Sequence, residues 1–292
     1  MKILYIKCWN HHKNYNFIKL CKKINFTEIN LNDLDKYNLE DYDCVLSVSQ
    51  PFSVKEYNEK YSHKKIKFIF GPHFSVFPEK HMIDIILSDN VYYNCLSDWV
   101  IKLWSNFNIT NHLNLIKLPF GVDTNKFCEI KPISQRNDVL LYFKSRSPDC
   151  LNFIYEFCKV NNINPIYYNY EMKYDEENYL NSLQNTKYAI IIGRHESQGF
   201  AIQEAMSCNV PLLVWDCKNM NDEYNSNYEP YPSTSIPYWD NSCGEYFHNI
   251  EELKNVYDKF ITNIENYSPR QFILDNLSIE SCENNLIKFI NS

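Results

Sequence analysis

The sequence predicts an α/β protein with parallel sheets. Short apolar runs rich in β-branched and aromatic residues alternate with stretches of helical character along most of its length. Its few glycines fall where those runs end. The clearest unit reads strand, loop, helix, strand: Ala189-Ile190-Ile191-Ile192, a polar loop, Ala201 to Ser207 rich in helix formers, then Leu212-Leu213-Val214-Trp215. Asn209-Val210-Pro211 ends the helix between them.

The other elements follow in order. Ile3 to Ile6, Cys44 to Val48, Lys67 to Phe70 and Val91 to Tyr93 read as strands, with helices over Tyr15 to Lys23 and Ser97 to Asn106. Ser97-Asp98 supplies an N-cap for the second helix. A second series of strands covers Val139 to Phe143, Pro165 to Tyr168, Ala189 to Ile192 and Leu212 to Trp215. The last third is mostly helical and ends on a helix over Ile279 to Ile290.

Composition narrows the class. A chain of 292 residues forms one large or two medium domains with a substantial core. An apolar fraction of 45% and an aromatic fraction of 16% exclude a disordered chain. A net charge of −7 without a long basic run argues against a nucleic-acid surface. Eleven cysteines stand without C-x2-C pairs, as expected of reduced cytosolic thiols rather than a disulfide framework or zinc site. The amino terminus turns polar too early for a signal peptide, and no apolar stretch reaches the roughly 20 residues of a membrane span. These features predict a soluble, cytoplasmic protein. Ordinary abundance would supply roughly twenty glycines, but only five are present, so each marks a place where the backbone has little alternative. Gly71, Gly121, Gly193 and Gly199 fall at predicted strand ends or interdomain turns, while Gly244 has no predicted role.

The run His195-Glu196-Ser197-Gln198-Gly199-Phe200-Ala201-Ile202-Gln203-Glu204-Ala205-Met206 holds the densest chemistry. Glu196 and Glu204 stand eight positions apart, one in the loop and one on the helix, so both can face one cleft. The junction lies at the carboxyl end of a strand, where ligands bind in open α/β sheets. Free N–H groups and the helix dipole make it an anion seat. Carboxylates grip vicinal hydroxyls, and the combination suits a nucleotide-sugar. No G-x-G-x-x-G is present, which disfavours a dinucleotide-dependent dehydrogenase.

On these residues the chain resembles the large E-x7-E family of retaining glycosyltransferases with the GT-B fold (glycosyl transferases group 1, family 4-like). Glu196, Gly199-Phe200, Glu204-Ala205-Met206, Cys208 and Pro211 match the pattern E-G-F-G-x4-E-A-M-A-x-G-x-P. Ser197-Gln198 is inserted, Ala201 replaces a glycine, and Asn209 replaces another, a mild change because Asn tolerates the left-handed conformation. Leu118-Pro119-Phe120-Gly121-Val122-Asp123 resembles the P-N-G-V-D signature that closes the first domain, with Phe120 for Asn.

The resemblance implies two Rossmann-like domains facing across a cleft. Residues 1-123 would form the acceptor-side domain, joined by the final helix over about 276-292, and residues 124-275 the nucleotide-sugar domain. It implies retaining transfer of a hexose from a UDP- or GDP-linked donor to a glycan or other hydroxyl acceptor, with no cofactor and no metal. Glu204 would hold the ribose hydroxyls and Glu196 the transferred sugar. Lys144 and Arg146 would clamp the diphosphate, although compressed relative to the family's G-R-x4-K-G, and His195 with the amides of Gly199, Phe200 and Ala201 would complete the donor site. His73, after Gly71-Pro72, corresponds to the family histidine beside the reacting sugar, and His11 and His12 lie on the acceptor side. Tyr167-Tyr168-Asn169-Tyr170 occupies the place where relatives hold the base. A catalytically silent GT-B protein that binds sugar or protein partners is the alternative from another class. An epimerase or phosphorylase of the same fold is a third.

Overall fold

The structure, a computed structural model, describes residues 1–7, 11–48, 66–72, 76–78, 90–111 and 113–292. It divides into two compact units, one formed by 1–121 with 279–292 and the other by 122–278.

The first unit is built on a parallel sheet of order β2-β1-β3-β4-β5-β6. Its strands are β1 (Lys2–Ile6), β2 (Asn25–Ile29), β3 (Cys44–Ser47), β4 (Lys67–Phe70), β5 (Val91–Asn94) and β6 (Asn114–Ile116). Ile3, Leu4, Tyr5 and Ile6 of β1 are buried in its centre. Two of these strands escape sequence reading for a physical reason. Strands β2 and β6 are the sheet edges, so they carry mixed rather than continuous apolar residues. Helix α1 covers His12–Leu20 rather than Tyr15 to Lys23, because the chain turns extended at Cys21 (φ −58°, ψ 137°). Helix α2 spans Asp98–Trp104 with Ser97 at its N-cap, but the Ser97 hydroxyl makes no capping bond. The last helix of the chain, Ile279–Asn291, belongs to this unit. Its buried Glu283 accepts the N–H groups of Lys23 and Ile24 at 2.6 and 3.0 Å, which fixes the extended turn after α1. Phe120 is buried edge-on to Phe17 at 5.5 Å, so here the departure from the signature serves the core.

The second unit holds a parallel sheet of order β11-β10-β9-β7-β8. Its strands are β7 (Asp138–Lys144), β8 (Ile166–Asn169), β9 (Thr186–Gly193), β10 (Leu212–Trp215) and β11 (Gly244–Phe247). Helices α3 (Pro148–Val160), α4 (Glu176–Asn185), α5 (Phe200–Ser207), α6 (Leu253–Thr262) and α7 (Pro269–Asn276) surround it. Central β9 is buried throughout apart from Lys187, as its run of isoleucines demands. On one face Ile154 and Cys158 of α3 and Leu253 and Phe260 of α6 pack over Leu141, Ile190 and Leu213. The glycine without a predicted role proves structural: Gly244 opens β11 at φ +139°, and a Cβ there would lie 2.0 Å from Leu212 O on β10. In register, Lys144 pairs with Gly193 and Trp215 with Ile192, so three carboxyl strand ends lie along one edge. That edge carries the candidate site.

Candidate functional site

The loop between β9 and α5 is held from both sides. Arg194 N–H donates to Lys144 O at 3.0 Å and Glu196 N–H to Thr234 O at 3.0 Å. Thr234 is anchored in turn by its hydroxyl on the Asp216 carboxylate at 2.9 and 3.0 Å, and Ser235 N–H reaches the same carboxylate at 2.6 Å. Burial raises the Asp216 pKa, with the Ser235 and Thr234 hydrogen bonds opposing the shift. Gly199 caps α5 in the left-handed conformation (φ 83°, ψ 54°) and has no side chain to occupy the N–H groups of the first turn. The inserted Gln198 is buried against Gln203: Nε2 of each donates, to Gln203 Oε1 at 3.1 Å and to Gln198 O at 2.7 Å. The insertion therefore braces the start of the helix. Tyr179 Oη donates to Ala201 O at 3.0 Å and pins the same turn from α4.

At its other end α5 is tied down by two guanidinium groups. Arg136, wholly buried, donates to Cys208 O at 3.0 Å, Thr186 O at 3.2 Å and Lys131 O at 2.8 Å, and pairs with Glu129 at 3.2 Å. Arg270 donates to Ser207 O at 2.5 Å and Phe127 O at 3.1 Å. Cations at a helix carboxyl end complement its dipole. Asn209 follows in the left-handed conformation (φ 58°) that its place in the motif requires.

The predicted donor-side residues of this unit gather at the strand ends. Lys144 Nζ lies 2.5 Å from Glu196 Oε1, with both side chains largely buried, and sits over the Tyr170 ring at 4.1 Å. Glu204 is 3% exposed on α5. Burial raises the phenol pKa of Tyr174, a hydrogen bond with Tyr142 opposes the shift, and the negative charges of Glu204 and Glu196 add to it. The Tyr174 ring packs on Tyr179 at 4.9 Å and Tyr168 at 5.3 Å. Tyr168 itself donates to Asn178 O at 3.0 Å and pairs with Ser182.

Arg146 takes a different direction from Lys144. Its Nη1 donates to Gly193 O at 3.2 Å and its guanidinium lies 5.8 Å from the Trp215 ring. His195 is buried, and Arg194 Nη1 lies 3.2 Å from its Nε2. Since arginine only donates, Nε2 is the acceptor and the ring is neutral. Burial pushes its pKa down to about 3, helped by the positive charges of Arg194 and Lys144. Sequence reasoning missed Glu223, whose Oε1 lies 3.5 Å from Arg194 Nε and whose Oε2 lies 3.7 Å from His195 Nε2. It also missed Tyr174 and Asp216. Asp216 directly follows β10, so the position-after-strand rule that singled out Lys144 would have found it.

In the first unit His11 is the N-cap of α1 and His12 its first residue, and their rings stack at 4.9 Å. His73 lies outside the described residues; the chain before it ends β4 at Phe70 and passes Gly71 at φ 82°.

No protein-family model and no curated protein sequence matches the chain. Solved structures do. The chain is similar to the apo form of the lipopolysaccharide outer core galactosyltransferase WaaB (TM-score 0.58, 13% identity, 99% of each chain covered). It is similar to AviGT4, a glycosyltransferase involved in avilamycin A biosynthesis (TM-score 0.56, 9% identity, 99% of this chain and 96% of that one). It is also similar to the N-terminal domain of a Candida albicans trehalose-6-phosphate phosphatase (TM-score 0.59, 9% identity, 99% and 96% covered). At such identities the likeness fixes architecture and leaves chemistry to the site. The chain has the GT-B fold, two α/β units each carrying its own parallel sheet.

Proposed function

We propose that the chain is a retaining glycosyltransferase that moves a hexose from a UDP- or GDP-linked donor to a glycan or other hydroxyl acceptor. One observation carries this reading. A largely buried lysine–glutamate pair, Lys144 with Glu196, stands at the strand ends beside the amino end of α5, whose N-cap Gly199 has no side chain and which also carries buried Glu204.

Each group then has a task. Lys144 and the first-turn N–H groups of α5, at Phe200 and Ala201, neutralise the diphosphate, so the reaction needs no metal. Glu204 accepts the ribose hydroxyls. Glu196 grips the transferred sugar once Lys144 is shared with phosphate. The bond between the anomeric carbon and the diphosphate oxygen breaks, with its electron pair going to that oxygen. The acceptor hydroxyl forms its bond on the same face and passes its proton to the departing diphosphate. Neutral His195 places an uncharged wall beside the site, held by Arg194. His73, with His11 and His12, completes the acceptor side of the proposal. Release of UDP or GDP from the matching sugar nucleotide, undiminished by EDTA, is the test; turnover that collapses without added metal would refute the metal-free part.

A binding protein without turnover is the second reading, and Arg146 favours it. Its guanidinium contacts Gly193 O and Trp215 rather than joining Lys144 at Glu196. Tight nucleotide binding without product, across a broad acceptor panel, would establish it.

A further inference from the structure

Glu196 stands in a loop that runs from Gly193, at the end of β9, to Phe200, at the start of α5. Its main chain is set from outside that loop, by Thr234 O, which accepts Glu196 N–H at 3.0 Å. Thr234 belongs to the segment between β10 and β11, whose regular structure is a 3-10 turn over Met220–Asp222. A residue in such a segment holds a fixed position only if its own groups are tied down.

The tie is Asp216. It directly follows β10, its N–H donates to Phe247 O at 2.9 Å, and its carbonyl lies 3.3 Å from His248 Nδ1. The carboxylate, 6% exposed, takes the Ser235 N–H and the Thr234 hydroxyl. That hydroxyl also accepts Ile236 N–H at 3.0 Å. The Ser235 hydroxyl donates to Gly193 O at 2.9 Å and accepts Cys217 N–H at 3.3 Å. Burying a carboxylate is costly unless hydrogen bonds replace its water. Burial does raise the Asp216 pKa, and the bonds from Ser235 and Thr234 lead the opposing effects, ahead of the His248 charge.

Helix α5 is braced from other directions. Tyr179 holds Ala201 O, Gln203 holds Gln198 O, and Arg136 and Arg270 hold the far end of the helix. The two glutamates of the motif are therefore anchored separately, Glu204 through α5 and Glu196 through Thr234 and Asp216.

We propose that Asp216 and Thr234 are positioning residues for the sugar half of the donor site: they set the main chain at Glu196, and with it the carboxylate that meets Lys144, independently of the nucleotide half carried by α5. A group that grips a substrate acts only as well as its supporting shell holds it. The assignment to a sugar rests on the glycosyl-transfer reading; the brace from Asp216 through Thr234 to Glu196 does not.

The test compares the wild type with Thr234→Val, which keeps the shape and loses the hydroxyl, and with Thr234→Ser, which keeps the hydroxyl. Folding is checked by urea unfolding. UDP, GDP, UDP-glucose, UDP-galactose and GDP-mannose are titrated by calorimetry, and amide hydrogen exchange is followed by NMR at Glu196 and along α5. In Thr234→Val the ratio of sugar-nucleotide Kd to nucleotide Kd is expected to rise about tenfold, the scale of one charge-assisted hydrogen bond. The bare nucleotide should bind as before, and Thr234→Ser should restore the wild-type ratio. Glu196 N–H should exchange faster in the valine variant while the α5 amides keep their rates. Asp216→Asn, which leaves an acceptor for Ser235 N–H, should shift the ratio in the same direction and serves if the valine variant does not fold. Equal weakening of nucleotide and sugar nucleotide would reduce the brace to a general structural role and overturn the proposal. An unchanged ratio, or an unchanged Glu196 exchange rate in the folded variant, would overturn it as well. Faster exchange at Glu196 alone, with no nucleotide bound by the wild type, would support the positioning of Glu196 while the transferase reading fails.

Discussion

The buried neutral imidazole of His195 makes a quantitative prediction about stability. An unfolded histidine has a pKa near 6.5, whereas burial with Arg194 and Lys144 nearby holds His195 at about 3 in the folded chain. The folded state therefore binds fewer protons than the unfolded state between these values. Above about pH 6.5 both states are neutral here and the group costs nothing. As pH falls below that, the unfolded state gains a proton that the native state refuses. Stability then drops by up to about 1.4 kcal/mol per pH unit, or about 2 kcal/mol between pH 6.5 and 4.5. His195→Gln removes the titration while keeping a polar side chain beside Arg194. Its absolute stability is not the readout; the difference in slope is. Urea unfolding of both proteins from pH 7.5 to 4.5 is expected to give a variant whose stability falls less steeply, by that amount. NMR of the wild-type ring should also show no titration of His195 between pH 5 and 8. Parallel slopes, or a ring that titrates near pH 6.5, would refute the reasoning that places this histidine buried and uncharged at the site.

Three further outcomes follow from the same geometry. Gly199→Ala forces a Cβ into the left-handed cap, where space is adequate (3.5 Å to Glu196 Cβ) but the backbone is strained; it should cost about 1–2 kcal/mol by urea unfolding. Lys144→Ala should weaken nucleotide binding at least tenfold by calorimetry, the scale of one charge-assisted hydrogen bond. Adding Glu196→Gln should restore part of that loss, since a bare carboxylate no longer faces the phosphates. Arg136→Met strands the carbonyls of Thr186 and Cys208 and the Glu129 carboxylate, and should destabilise the chain by about 3–5 kcal/mol in the same unfolding assay.

Central strands were legible because burial on both faces writes itself into the sequence. Lys67–Phe70 and Leu212–Trp215 coincide with the expected runs, and Ala189 to Ile192 lies inside β9. Edge strands β2, β6 and β11 were not legible, since their residues form no continuous apolar run, whereas edge strand β8 was, through Ile166-Tyr167-Tyr168. The start of α5 was foreseen from a single glycine, and the left-handed Asn209 from its place in the motif. Side-chain direction was beyond reach. Lys144 and Arg146 are two residues apart, yet one meets Glu196 and the other bonds Gly193 O. Glu223 was hidden for a related reason. It lies 27 positions beyond Glu196, in a segment with no periodicity, and only folding brings it to His195.

The central claim, a nucleotide-sugar site around Glu204 and Lys144, is tested most directly by calorimetric titration of UDP and GDP into the wild type and Glu204→Ala, without metal. The account predicts that one nucleotide series binds the wild type, and that the folded variant loses about a hundredfold in affinity or more, as expected when a buried carboxylate that accepts two hydroxyls is removed. Equal affinity in the folded variant, or silence of the wild type toward both series, would contradict it.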